Sequence, residues 1–275
     1  MMDEVQLMGS GLSTSAQLQA FRDKLGTFGP AHTVWMSATL ARGALDTVDL
    51  RQTELRHQGI EAPDRKALRK RLKAAKPIEQ VDTDPKKPAA TAKQILELHK
   101  SGTLTLVVVN RVARARDLAL ALGKLVKSEV NVALIHSRFR PHERRERQRE
   151  ALAPGWSGIL VATQAIEAGV DIDARLLVTD LASWPSMVQR FGRCNRAGEC
   201  KDAEVLWMDV PNKDAAPYTP EQLDLARGRL RELEDVGPSR CRGSTTLARR
   251  SRCCGARTCS RSSTPSLIWP ATTST

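Results

Sequence analysis

Aromatic residues are scarce in this sequence, and long apolar runs are missing. Phe, Trp and Tyr make up 4% of the 275 residues. No apolar run approaches the roughly 20 residues that a membrane-spanning helix needs. The chain begins Met-Met-Asp-Glu, which is not the basic-then-apolar pattern of a secretory signal. These absences predict a cytoplasmic protein with no membrane partner.

Two motifs of nucleotide and metal chemistry are absent as well. The phosphate loop G-x-x-x-x-G-K-[ST], whose backbone amides and lysine hold nucleotide phosphates, occurs nowhere. Structural zinc sites use paired C-x-x-C spacings, and the sequence has none. Four of the six cysteines lie near the C-terminus, and their spacing does not fit a zinc site: Cys241, Cys253, Cys254 and Cys259.

Acidic residues are absent from the C-terminal segment, and this changes the meaning of the net charge. The whole chain carries +12, from 43 basic and 31 acidic residues. Residues 237–275 contain seven arginines and no acidic residue, which leaves +5 for residues 1–236. A basic chain suits a polyanionic partner, but the part before this segment is only mildly basic.

Residues 237–275 are predicted to form an aberrant tail. After Val236 the helical and strand periodicity stops, and Ser, Arg, Thr and Cys dominate. This composition indicates disorder or the product of a shifted reading frame in a GC-rich gene. The abruptness of the change favours the second interpretation.

Between residues 90 and 236, short apolar strands alternate with helical patterns, which predicts an α/β fold with a parallel sheet flanked by helices. Leu104–Val109, which is apolar apart from Thr105, is a continuous run of the kind that is buried on both faces. A linker is predicted from Lys76 to Ala90, and a basic helical segment over residues 60–76. Further strands are predicted at Thr33–Met36, Val132–Ile135, Ile159–Ala162, Leu176–Val178 and Val205–Trp207.

The most specific patterns are the run from Ile159 to Asp173 and the run from Gln189 to Arg196. The first contains Thr163, Gly169 and Asp171, and the second has the form Q-x-x-G-R-x-x-R. Together they resemble motifs V and VI of superfamily 2 nucleic-acid helicases. In those motifs Thr163 would bond a backbone phosphate, Gly169 would allow close main-chain approach, and Asp171 would orient the arginines or the ribose of ATP.

Arg193 and Arg196 lie one helical turn apart and can converge on one point. Two guanidinium groups at a γ-phosphate would neutralise transition-state charge, and an exposed salt-bridge pair is the alternative. The predicted ATP-binding residues are Gln6, Gly169, Asp171, Gln189, Arg193 and Arg196.

The N-terminus contains a second pair of helicase-like patterns. Asp3-Glu4-Val5-Gln6 resembles a Walker B box, in which Asp3 would hold Mg²⁺ and Glu4 would polarise the attacking water. A solvated acidic pair is the alternative. The downstream triplet Ser37-Ala38-Thr39 matches motif III, which couples hydrolysis to strand binding.

A further group of polar residues follows predicted strands, where ligands bind in open α/β sheets. Arg138 is well placed to meet phosphates, whereas His136 has an alternative interpretation as a loop histidine that bonds locally. The predicted nucleic-acid contacts are Asn110, Arg111, His136, Ser137, Arg138 and Thr163.

Longer segments are similar to the helicase–nuclease of type I CRISPR–Cas systems: DEVQLMGSGLSTSAQLQAFR, HSRFRPHERRER, ATQAIEAGVDID and SWPSMVQRFGRCNRAGE. The resemblance covers residues 1 to about 235. It implies two RecA-like domains, ATP and Mg²⁺ as cofactors, translocation on single-stranded DNA, and recruitment by a guide-RNA surveillance complex. It also implies an HD nuclease, but the sequence has no His-Asp dipeptide.

The departures from that family predict a partial helicase, truncated at both ends and inactive in ATP hydrolysis on its own. Residues 1–85 would be a remnant of the first RecA-like domain, and residues 90–236 the second. Two alternatives stay open: a catalytically dead nucleic-acid-binding remnant, and a fragment of another superfamily 2 DNA or RNA helicase.

Overall fold

The computed structural model describes residues 1–5, 8–37, 43–56, 62–84, 87–126 and 130–241. Four predicted features lie outside these residues: Gln6, Ala38, Thr39 and the tail from residue 242 onward. No helix in the described part of the chain is long and apolar enough to cross a membrane.

A six-stranded sheet organises the chain from residue 78 onward. The strand order is β1-β6-β5-β2-β4-β3, and every neighbouring pair is parallel. All residues of β4 and β5 are buried, as expected when both faces of a parallel sheet are covered. The strands are β1 Ile78–Val81, β2 Leu104–Val108, β3 Val132–Ile135, β4 Gly158–Ala162, β5 Leu176–Asp180 and β6 Glu204–Met208.

Helices connect the strands and cover both faces of the sheet. One apolar cluster centres on Leu106, Leu160 and Leu177, and the other contains Val107 and Val161 with residues of α4 and α5. The α/β prediction is therefore confirmed. The helices are α1 Ser10–Leu25, α2 Ala62–Ala67, α3 Arg69–Leu72, α4 Pro88–Leu98, α5 Val112–Leu125, α6 Pro141–Ala151, α7 Trp184–Phe191, α8 Pro220–Arg231 and α9 Pro238–Cys241.

The predicted linker at residues 76–90 is wrong at its start, because it contains the edge strand β1. This strand pairs with β6 from Ile78 to Val81. Its two central residues, Glu79 and Gln80, are polar and exposed, so the strand has little hydrophobic signal. The preceding Lys76 is 2% exposed and donates to the carbonyl of Phe191 at 2.7 Å.

The buried strand predicted at Thr33–Met36 is also wrong. The segment forms only an isolated parallel bridge between Met2 and Trp35, and both Val34 and Met36 are exposed. A small apolar cluster of Val5, Leu12, Ala16, Ala20, Leu45 and Leu50 holds this N-terminal region together.

Candidate functional site

The guanidinium of Arg193 lies beneath the turn that follows β4. Its Nε donates to the carbonyl of Ile166 at 3.2 Å, and its Nη2 donates to the carbonyl of Glu167 at 2.5 Å. Burial lowers the pKa of Arg193 and neighbouring Arg196 adds to the effect, whereas the carboxylates of Glu4, Asp171 and Glu167 oppose it. Three acidic groups and a second arginine therefore surround this side chain.

Arg196 lies in the loop after α7, and Asp171 holds its side chain. Its Nε is 3.2 Å from Asp171 Oδ1, and the arginine side chain is 42% exposed. The backbone amides of Arg196 and Ala197 donate to the carboxylate of Asp173 at 2.7 and 3.0 Å. Gly169 has a φ of +71°, and a Cβ added to it would meet no atom within 4 Å, so its backbone conformation is what favours glycine.

The N-terminal acidic pair joins this group through Glu4. Gln189 Nε2 donates to Glu4 Oε2 at 2.9 Å, and Asp3 Oδ1 accepts from the Glu4 amide at 2.8 Å. The amide of Val5 donates to the carbonyl of Met36 at 3.2 Å, which brings Ser37 close in the backbone. The structure thus brings together five predicted residues: Glu4, Asp171, Gln189, Arg193 and Arg196.

The small number of carboxylates limits which metal ions this site could hold. Among the described residues no group of three or more His, Cys, Asp or Glu side chains could hold a metal ion. Mg²⁺ in nucleotide enzymes uses one or two carboxylates together with phosphate oxygens. Asp3 therefore fits a Mg²⁺ ion that arrives with a nucleotide, and the arginine pair fits the phosphates of that nucleotide.

The predicted nucleic-acid residues share one edge of the sheet, where β2, β4 and β3 end. Asn110 and Arg111 follow β2, the segment His136–Arg138 follows β3, and Thr163 follows β4. The strands adjoin in that order, and Gln164 Nε2 ties two of the loops together by donating to the carbonyl of Asn110 at 3.0 Å. We call this the carboxyl edge.

Only part of the carboxyl edge is open to solvent. Arg111, Ser137 and Arg138 are exposed, and Arg111 pairs with Asp214 at 3.3 Å. Thr163 is buried. Asn110 is buried too, and its Nδ2 donates to the carbonyl of Leu181 at 2.7 Å.

His136 is intermediate between the exposed and the buried residues of the carboxyl edge, because its ring packs against neighbouring side chains instead of facing solvent. It stacks on Phe139 with centroids 3.9 Å apart and planes 2° from parallel, and Arg147 lies over the Phe139 ring at 4.5 Å. Burial lowers the pKa of His136, and the charges of Arg138 and Arg147 lower it further. The stack fixes the turn that displays Ser137 and Arg138.

Sequence reasoning missed Arg190, which is fully buried in the part of the chain that contains the six-stranded sheet. We call this part, residues 78–236, the sheet unit. An arginine has five N–H donors, and here every one has an acceptor. Nε donates to Glu167 Oε1 at 2.8 Å, Nη1 to Thr179 Oγ1 and the Asp180 carbonyl at 2.9 Å, and Nη2 to Asn110 Oδ1 at 3.0 Å and Tyr218 Oη at 3.2 Å.

This network links the carboxyl edge to the cluster of Glu4, Asp171, Gln189, Arg193 and Arg196, which we call the nucleotide group because ATP binding or catalysis is predicted for each of its residues. Asn110 belongs to the edge, while the carbonyl of Glu167 accepts from Arg193. The side chain of Asp180 joins the network through the amide of Asn110 at 3.0 Å and through Arg114 at 3.1 Å, and burial raises its pKa. The available sequence signal was a charged residue between Met187 and Phe191 on the buried face of α7.

Comparison with known proteins finds matches to one family. Residues 101–199 match the family model described as CRISPR-associated nuclease/helicase Cas3, C-terminal. A putative CRISPR-associated nuclease/helicase Cas3 of Myxococcus xanthus is 36% identical over 110 residues, which is 38% of this chain and 15% of that protein. A CRISPR-associated helicase Cas3 of Thermoproteus tenax is 31% identical over 142 residues, or 50% of this chain and 23% of that protein.

The chain thus matches less than a quarter of the length of these curated relatives. A solved structure titled as the crystal structure of a CRISPR-associated protein superposes with a TM-score of 0.53 at 23% identity, over 65% of this chain and 23% of that one. That likeness supports the RecA-like fold alone, whereas the family model and the sequence relatives agree on one family. Residues 101–199 are therefore similar to the C-terminal part of CRISPR-associated nuclease/helicases Cas3, and the two curated relatives carry the same family name.

Proposed function

We propose that the chain supplies the Walker B, motif V and motif VI elements of an ATP-dependent DNA helicase of type I CRISPR antiviral defence. In the intact family member, ATP hydrolysis would be coupled to translocation along single-stranded DNA, with a guide-RNA surveillance complex as partner. One observation carries the proposal: Glu4 meets Gln189 at 2.9 Å beside Arg193 and Arg196. These are the residue types that phosphoryl transfer requires, namely a water-polarising acid and paired cations.

The roles follow from the contacts. Arg193 and Arg196 would neutralise charge on the γ-phosphate, and Glu4 would polarise the attacking water. Asp3 would hold Mg²⁺ together with phosphate oxygens, and the bound ion would neutralise the developing charge. Gln189 orients Glu4. Further proposed roles are ATP contacts for Gln6, Gly169 and Asp171, and coupling for Ser37, Ala38 and Thr39.

The carboxyl edge is the proposed path of the DNA strand. Arg111, Ser137 and Arg138 are exposed there and would meet phosphates. Asn110, His136 and Thr163 stay predictions as direct contacts. Their burial favours a role in holding the loops that carry the exposed residues.

A second candidate function is nucleic-acid binding without catalysis. It is favoured by the absence of a phosphate loop from the 275 residues, since that loop holds the β- and γ-phosphates. We expect negligible phosphate release by the isolated chain with or without single-stranded DNA. A DNA-stimulated turnover near ~1 per second that Glu4→Gln abolished would contradict this expectation.

The helicase proposal is tested in a chimera that places a segment with the phosphate-loop motif G-x-x-x-x-G-K-[ST] before Met2. Arg193→Ala should lower DNA-stimulated ATP hydrolysis by roughly 10³ and keep most affinity for single-stranded DNA. Arg196→Ala should do the same. Arg138→Ala should instead weaken DNA binding and keep hydrolysis at saturating DNA.

The matched control in the chimera is Arg145→Ala, an exposed arginine on α6 that should change neither quantity. If Arg193→Ala lost DNA affinity and kept hydrolysis, the two roles would be reversed.

A further inference from the structure

We infer that α2, α3 and Lys73 form a second nucleic-acid-binding surface, distinct from the carboxyl edge, which takes the phosphate backbone of a strand. We call this surface the basic ridge. Its location follows from charge and packing, and the choice of nucleic acid as partner rests on the proposed function. The ridge consists of Arg65, Lys66, Arg69, Lys70, Arg71 and Lys73.

The net charge of the folded part of the chain is concentrated on this ridge. Residues 62–73 contain six basic residues and one acidic residue, Asp64, so they carry +5. Residues 1–236 as a whole also carry +5, which means that the rest of that range is neutral in sum. A concentrated patch of one sign on an otherwise balanced surface is the electrostatic footprint of a polyanion site.

A charged helix elsewhere in the chain shows what a purely solvated face looks like. On α6, four arginines alternate with Glu143, Glu146 and Glu150, so opposite charges lie one turn apart and attract. On the ridge, Arg65, Arg69 and Lys73 follow at intervals of four and repel one another. A helix that needs only solubility gains nothing from that repulsion, whereas a bound strand of phosphates would relieve it.

The local fold turns all six cations outward. Leu68 and Leu72 are partly buried, one turn apart, and direct one face of the segment inward. The six basic residues are all exposed. The amide of Leu68 donates to the carbonyl of Asp64 at 2.8 Å, and the amide of Leu72 to that of Leu68 at 2.9 Å, so α2 and α3 continue almost as one helix. Its length is about 16 Å, enough to follow several phosphates of a strand.

The ridge is seated on the loop that carries Arg196. A side chain at Gly198 would collide with the carbonyl oxygen of Lys70, so the two backbones are in direct contact. Asn195 Nδ2 donates to the carbonyl of Ala75 at 3.2 Å, and Lys70 Nζ lies 3.5 Å from Glu199 Oε1. A strand on the ridge would therefore lie beside the motif VI loop, which also carries Arg196.

The test uses the full chain and fluorescence anisotropy of a labelled oligothymidylate as a function of salt. The ridge variant is Lys66→Gln with Arg69→Gln, which leaves the Lys70–Glu199 pair intact. The control variant is Arg145→Gln with Arg149→Gln on α6, which removes the same charge. The arginines of residues 237–275 are present in all proteins, so their contribution cancels in the comparison.

Each lost phosphate contact changes the slope of log affinity against log salt by about 0.7 for a single strand. We expect the ridge variant to flatten the slope by about 1.4 and the control to leave it unchanged. Equal slopes for ridge and control variants, with unaltered unfolding midpoints, would overturn the inference. Arg138→Gln, measured in parallel, tests DNA binding at the carboxyl edge. The experiment can therefore contradict the proposal for one surface while supporting the proposal for the other.

Lysine acetylation read by mass spectrometry gives the position independently. Oligothymidylate should protect Lys66 and Lys73, while exposed Lys93 and Lys124 on other helices should react as in the free protein. Protection of the ridge by polyglutamate but not by oligothymidylate would assign the surface to an acidic protein partner and overturn the inference.

Discussion

The two ends of the described chain bury their apolar side chains very differently. Between Ile78 and Val236, helices cover both faces of the sheet, and two large apolar clusters fill the space. The described residues among 1–56 have one isolated bridge and one small apolar cluster, and they leave Leu25 at 80% and Phe28 fully exposed. The proposed nucleotide group draws on both regions. The well-packed unit supplies Arg193, Arg196 and Asp171, and the loosely packed region supplies Asp3 and Glu4.

The comparison predicts that the largest loss of stability comes from the buried polar centre of the sheet unit. Arg190→Met should lower the free energy of unfolding by about 3–5 kcal/mol, because it leaves the Glu167 carboxylate buried and unpaired. Urea denaturation measures the change. The matched control Arg149→Met, on the exposed face of α6, should stay within about 0.5 kcal/mol. A loss for Arg190→Met no larger than the control would show that the network contributes nothing to the unit.

A pair of leucine truncations compares the two regions directly. Leu177→Ala empties a site that is 0% exposed in the sheet and should cost about 2–5 kcal/mol. Leu12→Ala, in the small N-terminal cluster, should leave the main urea transition unchanged, because that cluster shares no members with the sheet's core. If both variants moved the main transition equally, the two regions would unfold as one cooperative unit.

The sequence predicted those strands whose own residues carry a strong hydrophobic signal. The predicted strands Leu104–Val109 and Ile159–Ala162 are apolar except for Thr105, and strands covered on both faces typically have such runs. By contrast, β1 has exposed Glu79 and Gln80 on a sheet edge, where pairing with β6 rather than hydrophobicity makes the strand. Single-sequence periodicity cannot detect that pairing.

In the candidate site too, the sequence predicted where residues lie but not where their side chains point. Strand ends correctly indicated where Asn110 and His136 lie. The side chain of Asn110 turns inward because the buried guanidinium of Arg190 on α7 needs an acceptor. The ring of His136 turns inward because it stacks on Phe139. Arg190 could not be predicted as a buried residue, because an arginine between Gln189 and Phe191 resembles any exposed basic residue of a helix. Its burial becomes evident only when its hydrogen-bond acceptors on other elements are known.

The smallest expected effect concerns the packed turn at His136, and it extends the comparison to pH. Burial and the charges of Arg138 and Arg147 lower the pKa of this imidazole below 6.5 in the folded state. Between the folded and unfolded pKa values the unfolded chain binds more protons, so stability falls as the pH falls through that window. This contribution of His136 to stability is fully present above about pH 6.5 and is lost progressively below it.

NMR titration of the imidazole should give a midpoint below the ordinary histidine value. Urea denaturation of the sheet unit at about pH 7.5 and about pH 5.5 should show a smaller acid loss in His136→Asn than in the parent chain, compared after subtracting the cost of the substitution at the higher pH. An imidazole midpoint at or above the ordinary value would mean that the stack with Phe139 opens in solution, and that His136 is free to face the strand at the carboxyl edge.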